Sequence, residues 1–135
     1  MTRVIFPPLI LALLVVSGCS RAPACAGEGG SFGAPSAGCL VVDQGDVLLV
    51  QIFEGTYGPP GGSVDSAESA QCAAERETWE ETGVAVKATD LAAKFDNGFH
   101  LYWCDVVGGR EVSLGRPLEI KSADWYAPDD FSSLS

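Results

Sequence analysis

The alternation of apolar and polar positions along the chain predicts its elements. Two β-rich runs, Gly38–Val42 and Val47–Phe53, flank Asp43-Gln44-Gly45-Asp46 and read as a hairpin. Gly55–Val64 is rich in Gly and Pro and reads as a loop. A helix follows over about Ala67–Thr82, with Asp65 or Ser66 placed to cap its start and Gly83 to stop it. Val84–Ala88 and Leu91–Asp96 read as two short strands, the second closed by an Asn97-Gly98 turn. Phe99–Val107 is a strong strand ended by Gly108-Gly109, Ile120–Tyr126 a last strand, and Pro128–Leu134 a brief helix. Together they predict a mixed α/β sandwich built round one long helix, with its folded part beginning near Ala37.

The helix poses an electrostatic problem. At about 100° per residue, Ala70, Ala73 and Ala74 form a small-residue face suited to packing on a sheet. Glu77, Glu80 and Glu81 extend that face at i, i+3, i+4 spacing, so their carboxylates converge, while Trp79 points the opposite way. Carboxylates crowded on a packing face repel one another and desolvate badly. A divalent cation removes the conflict, and an all-oxygen donor set suits Mg2+ or Mn2+.

Charge and cysteine content narrow the function. Eighteen acids against eight bases leave a formal charge of −10, which argues against a nucleic-acid binder, because that requires a basic surface. A phosphate-bearing ligand therefore needs a cation between it and the protein. There are five cysteines. With Cys19 set aside for the reason below, Cys25, Cys39, Cys72 and Cys104 allow three pairings, among which the sequence does not choose. Cys25–Cys39 would tie the segment before the fold to the first strand, and free buried thiols at Cys72 and Cys104 are the alternative.

Residues 1–18 combine Arg3 with an apolar run, Leu9–Val16, too short to span a bilayer, which takes roughly 20 residues. That is the form of a signal peptide. Val16-Ser17-Gly18-Cys19 resembles the bacterial lipobox, which implies cleavage before Cys19, acylation of that cysteine and anchoring by several chains. Ser20 in the next position implies the outer membrane, on its periplasmic side. In residues 20–38, fifteen of nineteen are Gly, Ala, Pro or Ser, so 19–36 reads as a flexible tether holding the domain off the membrane.

One spacing is more specific than all of this. Gly62, five residues, Glu68, seven residues, then Arg76-Glu77-Thr78-Trp79-Glu80-Glu81-Thr82-Gly83-Val84 resembles the Nudix box, G-x5-E-x7-R-E-U-x-E-E-x-G-U, with U a bulky aliphatic. Thr78 in the first U position is the one departure, and its β-branched shape is near that of Val. Pro60-Gly61 before the box, and Gly115-Arg116-Pro117-Leu118-Glu119 ahead of Trp125, look like further parts of the family, so the resemblance covers roughly 37–134. It implies an α/β/α sandwich with a mixed sheet and one central catalytic helix. It also implies Mg2+- or Mn2+-dependent hydrolysis of a nucleoside diphosphate linked to another moiety, by water attack at phosphorus.

By that resemblance Glu77, Glu80 and Glu81 bind metal, Gly61 offers a backbone carbonyl, and Glu81 or a nearby carboxylate handles the water. Gly62 supports the site, and Glu68 and Arg76 form an ion pair that holds the loop on the helix. Glu119 is the candidate for a further loop carboxylate acting as base or ligand, with Glu111 its weaker rival. His100, the one histidine, reads as a packed strand residue. Tyr57, Phe95 and Trp103 are aromatics able to stack on a base, and Trp125 reads as packing beneath the last loop. The competing reading is a non-catalytic nucleotide- or protein-binding module of the same fold, which would have no need of the full carboxylate set. Nucleotide sugars, ADP-ribose, dinucleoside polyphosphates and oxidised nucleoside triphosphates all remain open as substrates.

Overall fold

The structure, a computed structural model, describes residues 21–27 and 30–134. The signal-like run 1–18 and Cys19 lie outside the described residues. Seven strands and one α-helix follow in the order β1 (Ser36–Asp43), β2 (Asp46–Ile52), β3 (Tyr57–Gly58), β4 (Gly61–Ser63), α1 (Ala70–Thr82), β5 (Val86–Lys94), β6 (Phe99–Val106) and β7 (Ile120–Tyr126).

The predicted hairpin is present, with Gln44 and Gly45 both at positive φ in its two-residue turn. Strands β1 and β2 pair only next to that turn, at Val42↔Val47 and Asp43↔Asp46. Upstream, β1 leaves its hairpin partner and runs between β4, antiparallel, and β6, parallel. Strand β2 instead pairs with β3 and β7. The mixed sheet is therefore threaded by β1, which belongs to both halves. Val84–Ala88 and Leu91–Asp96 are one strand, β5; register shifts around Leu91 explain the apparent break. The Gly/Pro loop 55–64 contains two short strands, β3 and β4.

Helix α1 starts three residues later than the pattern predicts. Ala67 has φ 64°, outside helical space, and Glu68 closes a turn on Asp65 instead. Ser69 is the cap, its Oγ accepting from Cys72 N at 3.2 Å. Gly83 ends the helix in the left-handed conformation as expected. The alanine face lies on the sheet, mainly on β1, and the core packs Ala37, Cys39, Val41, Ala70, Ala73, Ala74 and Val84 round the larger Leu48 and Tyr102. Thr78 is fully buried there, and its hydroxyl donates to Ala74 O at 2.7 Å, which is why the departure from a bulky aliphatic packs without an orphaned donor.

Strand β7 is followed by one 3-10 segment, Pro128–Ser133, with no buried residue. Among the described residues no helix is long and apolar enough to cross a membrane.

Two disulfides join Cys25 to Cys72 and Cys39 to Cys104, so neither the Cys25–Cys39 pairing nor free thiols at Cys72 and Cys104 is found. Cys39 points into the core from β1 and meets Cys104 on its neighbour β6, with Cα atoms 5.5 Å apart. The segment expected as a free tether is also different. Cys25 is bonded to α1, Ala26 N donates to Glu75 at 2.7 Å, Ser31 N to Gln71 at 2.9 Å, and Ala70 N to Ser31 O at 2.8 Å. A composition too poor to form its own core can still be held by partners the helix supplies.

Candidate active site

Four of the predicted acidic residues meet in one open cleft of about 520 Å3, lined by Gly61, Gly62, Arg76, Glu77, Glu80, Glu81, Arg116 and Glu119 among others. Helix α1 supplies Glu77, Glu80 and Glu81; β4 supplies the glycines; the loop between β6 and β7 supplies Arg116 and Glu119. Glu111 lies on the same loop but is exposed and does not line the cleft.

The glycines permit a close approach. A Cβ on Gly62 would lie 2.6 Å from the Glu77 carboxyl carbon, so only glycine leaves room for that side chain. Gly61 N donates to Glu81 Oε2 at 3.1 Å, which fixes the last acid of the helix against β4.

Arg76 organises the rim. Its guanidinium takes Glu68 in a two-pronged pair, Nε to Oε1 at 2.9 Å and NH2 to Oε2 at 3.0 Å, and donates to Ser63 O at 2.9 Å. It also reaches Glu77 at 2.8 Å and Glu80 at 3.5 Å. This joins the loop before α1 to the middle of the helix. The Glu68 carboxyl is held below its ordinary range chiefly by that Arg76 hydrogen bond.

Glu77 and Glu81 are buried, whereas Glu80 sits at the rim. Burial is the main cause that pushes Glu81 up to about 8, with the charges of Glu77 and Glu119 adding to it and the Gly61 N–H opposing it. The cleft is short of positive charge, and its donors are all oxygen, so its chemistry fits Mg2+ or Mn2+. Among the described residues no three such side chains are gathered tightly enough to clasp an ion in the arrangement seen. The Glu77 and Glu80 oxygens are turned instead onto Arg76 and Arg116.

Arg116 is the part that sequence reasoning did not single out. It pairs with Glu80, with Glu119 at 3.0 Å and with Glu77 at 3.8 Å. Its signal was its position three residues before Glu119 in a chain with few cations.

The aromatics lie elsewhere. Tyr57 packs edge-on against Tyr126, Phe95 against Phe99, and Trp103 is exposed; none lines the carboxylate cleft. His100 is buried in β6, its Nδ1 3.3 Å from the Tyr102 hydroxyl. Trp125 packs on the core under the loop, donating to Arg110 O at 2.9 Å with the Arg110 guanidinium 4.4 Å from its ring centre.

The fold and the cleft define an α/β domain that presents helix-borne carboxylates against a glycine strand. A model of the NUDIX domain matches residues 33–135, and the chain belongs to the Nudix family. It is 29% identical over 102 residues to a MutT-like protein of Streptomyces ambofaciens, covering 71% of this chain and 64% of that one. It is 34% identical over 94 residues to a Bacillus subtilis (strain 168) protein provisionally named an 8-oxo-dGTP diphosphatase, covering 66% of this chain and 57% of that one. The chain thus spans less than two thirds of the length of either relative. Among solved structures, an ADP-ribose pyrophosphatase from Streptococcus suis 89-1591 shares the fold at a TM-score of 0.62 and 24% identity, over 70% of this chain and 74% of that one.

Proposed function

We propose that this chain is a metal-dependent hydrolase that cleaves a phosphoanhydride bond in a nucleoside diphosphate linked to another moiety. The observation that carries this reading is the convergence of Glu77, Glu80 and Glu81 from one helical face, and Glu119 from a facing loop, on a single polar cleft beside Gly61. Glu77, Glu80, Glu81 and the Gly61 carbonyl would hold Mg2+ or Mn2+, which when bound polarises a phosphoryl oxygen and makes water a better nucleophile. Glu81, or Glu119 from the loop, takes the proton as the water oxygen bonds to phosphorus. The bridging P–O bond breaks, and its electron pair leaves on the departing phosphate. The test is a panel of nucleotide sugars, ADP-ribose, dinucleoside polyphosphates and oxidised nucleoside triphosphates, with Mg2+ and with Mn2+. Metal-dependent release of a cleaved diphosphate product supports the reading, and no turnover of any of them points to a binding module.

We further propose that the protein works outside the cytoplasm, held to the membrane by acylated Cys19. The lipobox-like run before Cys19 supports this, and two disulfides suit an oxidising compartment. Five residues separate Cys19 from Cys25, which is bonded to α1. An extended link of that length reaches only about 20 Å, so the domain stays close to the bilayer. Cys19→Ser is expected to move the protein from the membrane to the soluble fraction. A wild type that never incorporates labelled palmitate would refute the anchor.

A further inference from the structure

Arg76 and Arg116 are the cations of the cleft, and they are held differently. Arg76 is anchored by Glu68 and the Ser63 carbonyl, and from that anchor also holds one Glu77 oxygen at 2.8 Å and reaches Glu80 at 3.5 Å. The partners of the Arg116 guanidinium are carboxylates: Glu80, Glu77 and Glu119. Two of those are the same side chains proposed above to hold the metal. A carboxylate oxygen turned onto a guanidinium is not free for an ion, and in this arrangement the acids do not close round one.

The backbone of Arg116 is anchored independently of these ion pairs. Ser113 N donates to Thr82 O at 2.8 Å, across the last turn of α1. Gly115 abuts the helix so closely that a Cβ there would collide with the Glu80 carbonyl. Arg116 then opens a turn, its carbonyl accepting from Glu119 N at 3.0 Å and Ile120 N at 2.9 Å. The loop therefore stays against the cleft whatever the guanidinium touches, and the long side chain pivots from a fixed root. A planar fork of N–H donors matches phosphate oxygens as well as it matches carboxylates.

We propose that Arg116 is a substrate-binding residue with two posts: in the arrangement seen it pairs with Glu80 and stands 3.8 Å from Glu77, and when a divalent ion takes those carboxylates it turns to hold the substrate's diphosphate. This rests on the metal and diphosphate reading of the cleft. The exchange makes metal loading prepare the anion site, because the ion both adds positive charge and frees a second cation.

The experiment titrates the full chain with Mn2+, reading free ion by electron paramagnetic resonance. It then measures binding of adenosine 5′-(α,β-methylene)diphosphate, a diphosphate that cannot be hydrolysed at its bridge, to the Mn2+-loaded protein. R116A is expected to bind Mn2+ at least about threefold more tightly than wild type, since a partly exposed competing ion pair has been removed. The same variant is expected to bind the methylene diphosphate about tenfold more weakly, the worth of a charge-assisted hydrogen bond. R116K keeps the charge but not the fork, so its Mn2+ affinity stays near wild type while diphosphate binding weakens; it carries the test if R116A fails to fold. Unchanged or weaker Mn2+ binding in R116A, or an unchanged diphosphate affinity in both variants, overturns the proposal. If wild type binds no Mn2+, or binds it undiminished in E80Q, the metal reading of the cleft fails first and this inference falls with it. Mn2+ binding that E80Q weakens but R116A leaves alone refutes the inference only.

Discussion

Helix α1 buries a glutamate on each of two sides, and the two have opposite fates. Glu75 is 7% exposed and Glu81 5%. Glu75 accepts from Ala88 N at 2.9 Å through one oxygen and from Ala26 N at 2.7 Å through the other. It ties β5 and the N-terminal segment to the helix, beside the Cys25–Cys72 bond. Glu81 receives one backbone N–H, from Gly61, and otherwise faces other acids. Burial alone therefore does not mark a functional carboxylate. Backbone donors satisfy the first and make it a brace; burial and like charges hold the carboxyl of the second above its ordinary range.

The largest expected effect separates the pair by substitution. Glu81→Gln should lower turnover by at least about 10²-fold, in line with the loss of a metal or proton-transfer group. Its thermal midpoint should hold, and should rise above about pH 8, where the amide stays neutral while burial and the charges of Glu77 and Glu119 make ionised Glu81 costly. Glu75→Gln should do the reverse. An amide presents N–H to one of two backbone N–H groups, and the lost acceptor costs about 1–3 kcal/mol of stability. Turnover per folded molecule should survive. Urea unfolding alongside a single-substrate assay checks both, and a Glu75→Gln protein that is stable but inactive would collapse the distinction.

That contrast also shows what the sequence could and could not disclose. The Glu77, Glu80, Glu81 stripe was legible because helical period alone places those residues together, and the glycine spacing fixed what faces them. The hairpin turn, the Asn97-Gly98 turn and the Gly83 stop were legible because each depends on local backbone freedom. Glu75 was not, since its partners are backbone groups 49 and 13 residues away along the chain. The disulfide pairing was hidden for the same reason: Cys39 meets Cys104 only because β1 runs parallel to β6, a non-local choice. The helix start was misplaced because Asp65, Ser66 and Ser69 all have capping side chains, and only the left-handed Ala67 decides among them. Arg116 was legible only as a member of the Gly115–Glu119 run and received no role, because a loop arginine has no helical or strand period that assigns it partners.

The smallest effect tests the third kind of acid in this region, one satisfied by a side chain instead of by backbone or an ion. Glu68 is partly exposed and paired to Arg76, which holds its folded-state pKa below the ordinary 4.5. A lowered carboxyl pKa contributes stability in full above the unfolded value; that contribution is lost as pH falls through the folded value. The urea midpoint should therefore fall on the acid side of 4.5 with a component that belongs to this pair. Glu68→Gln should flatten that component while costing about 1 kcal/mol or less near neutrality, the scale of a partly exposed ion pair. Midpoints for wild type and variant across pH 2–7 make the comparison. Parallel acid limbs would show that the Arg76 fork holds the loop by shape alone, and that charge in this region matters only inside the cleft.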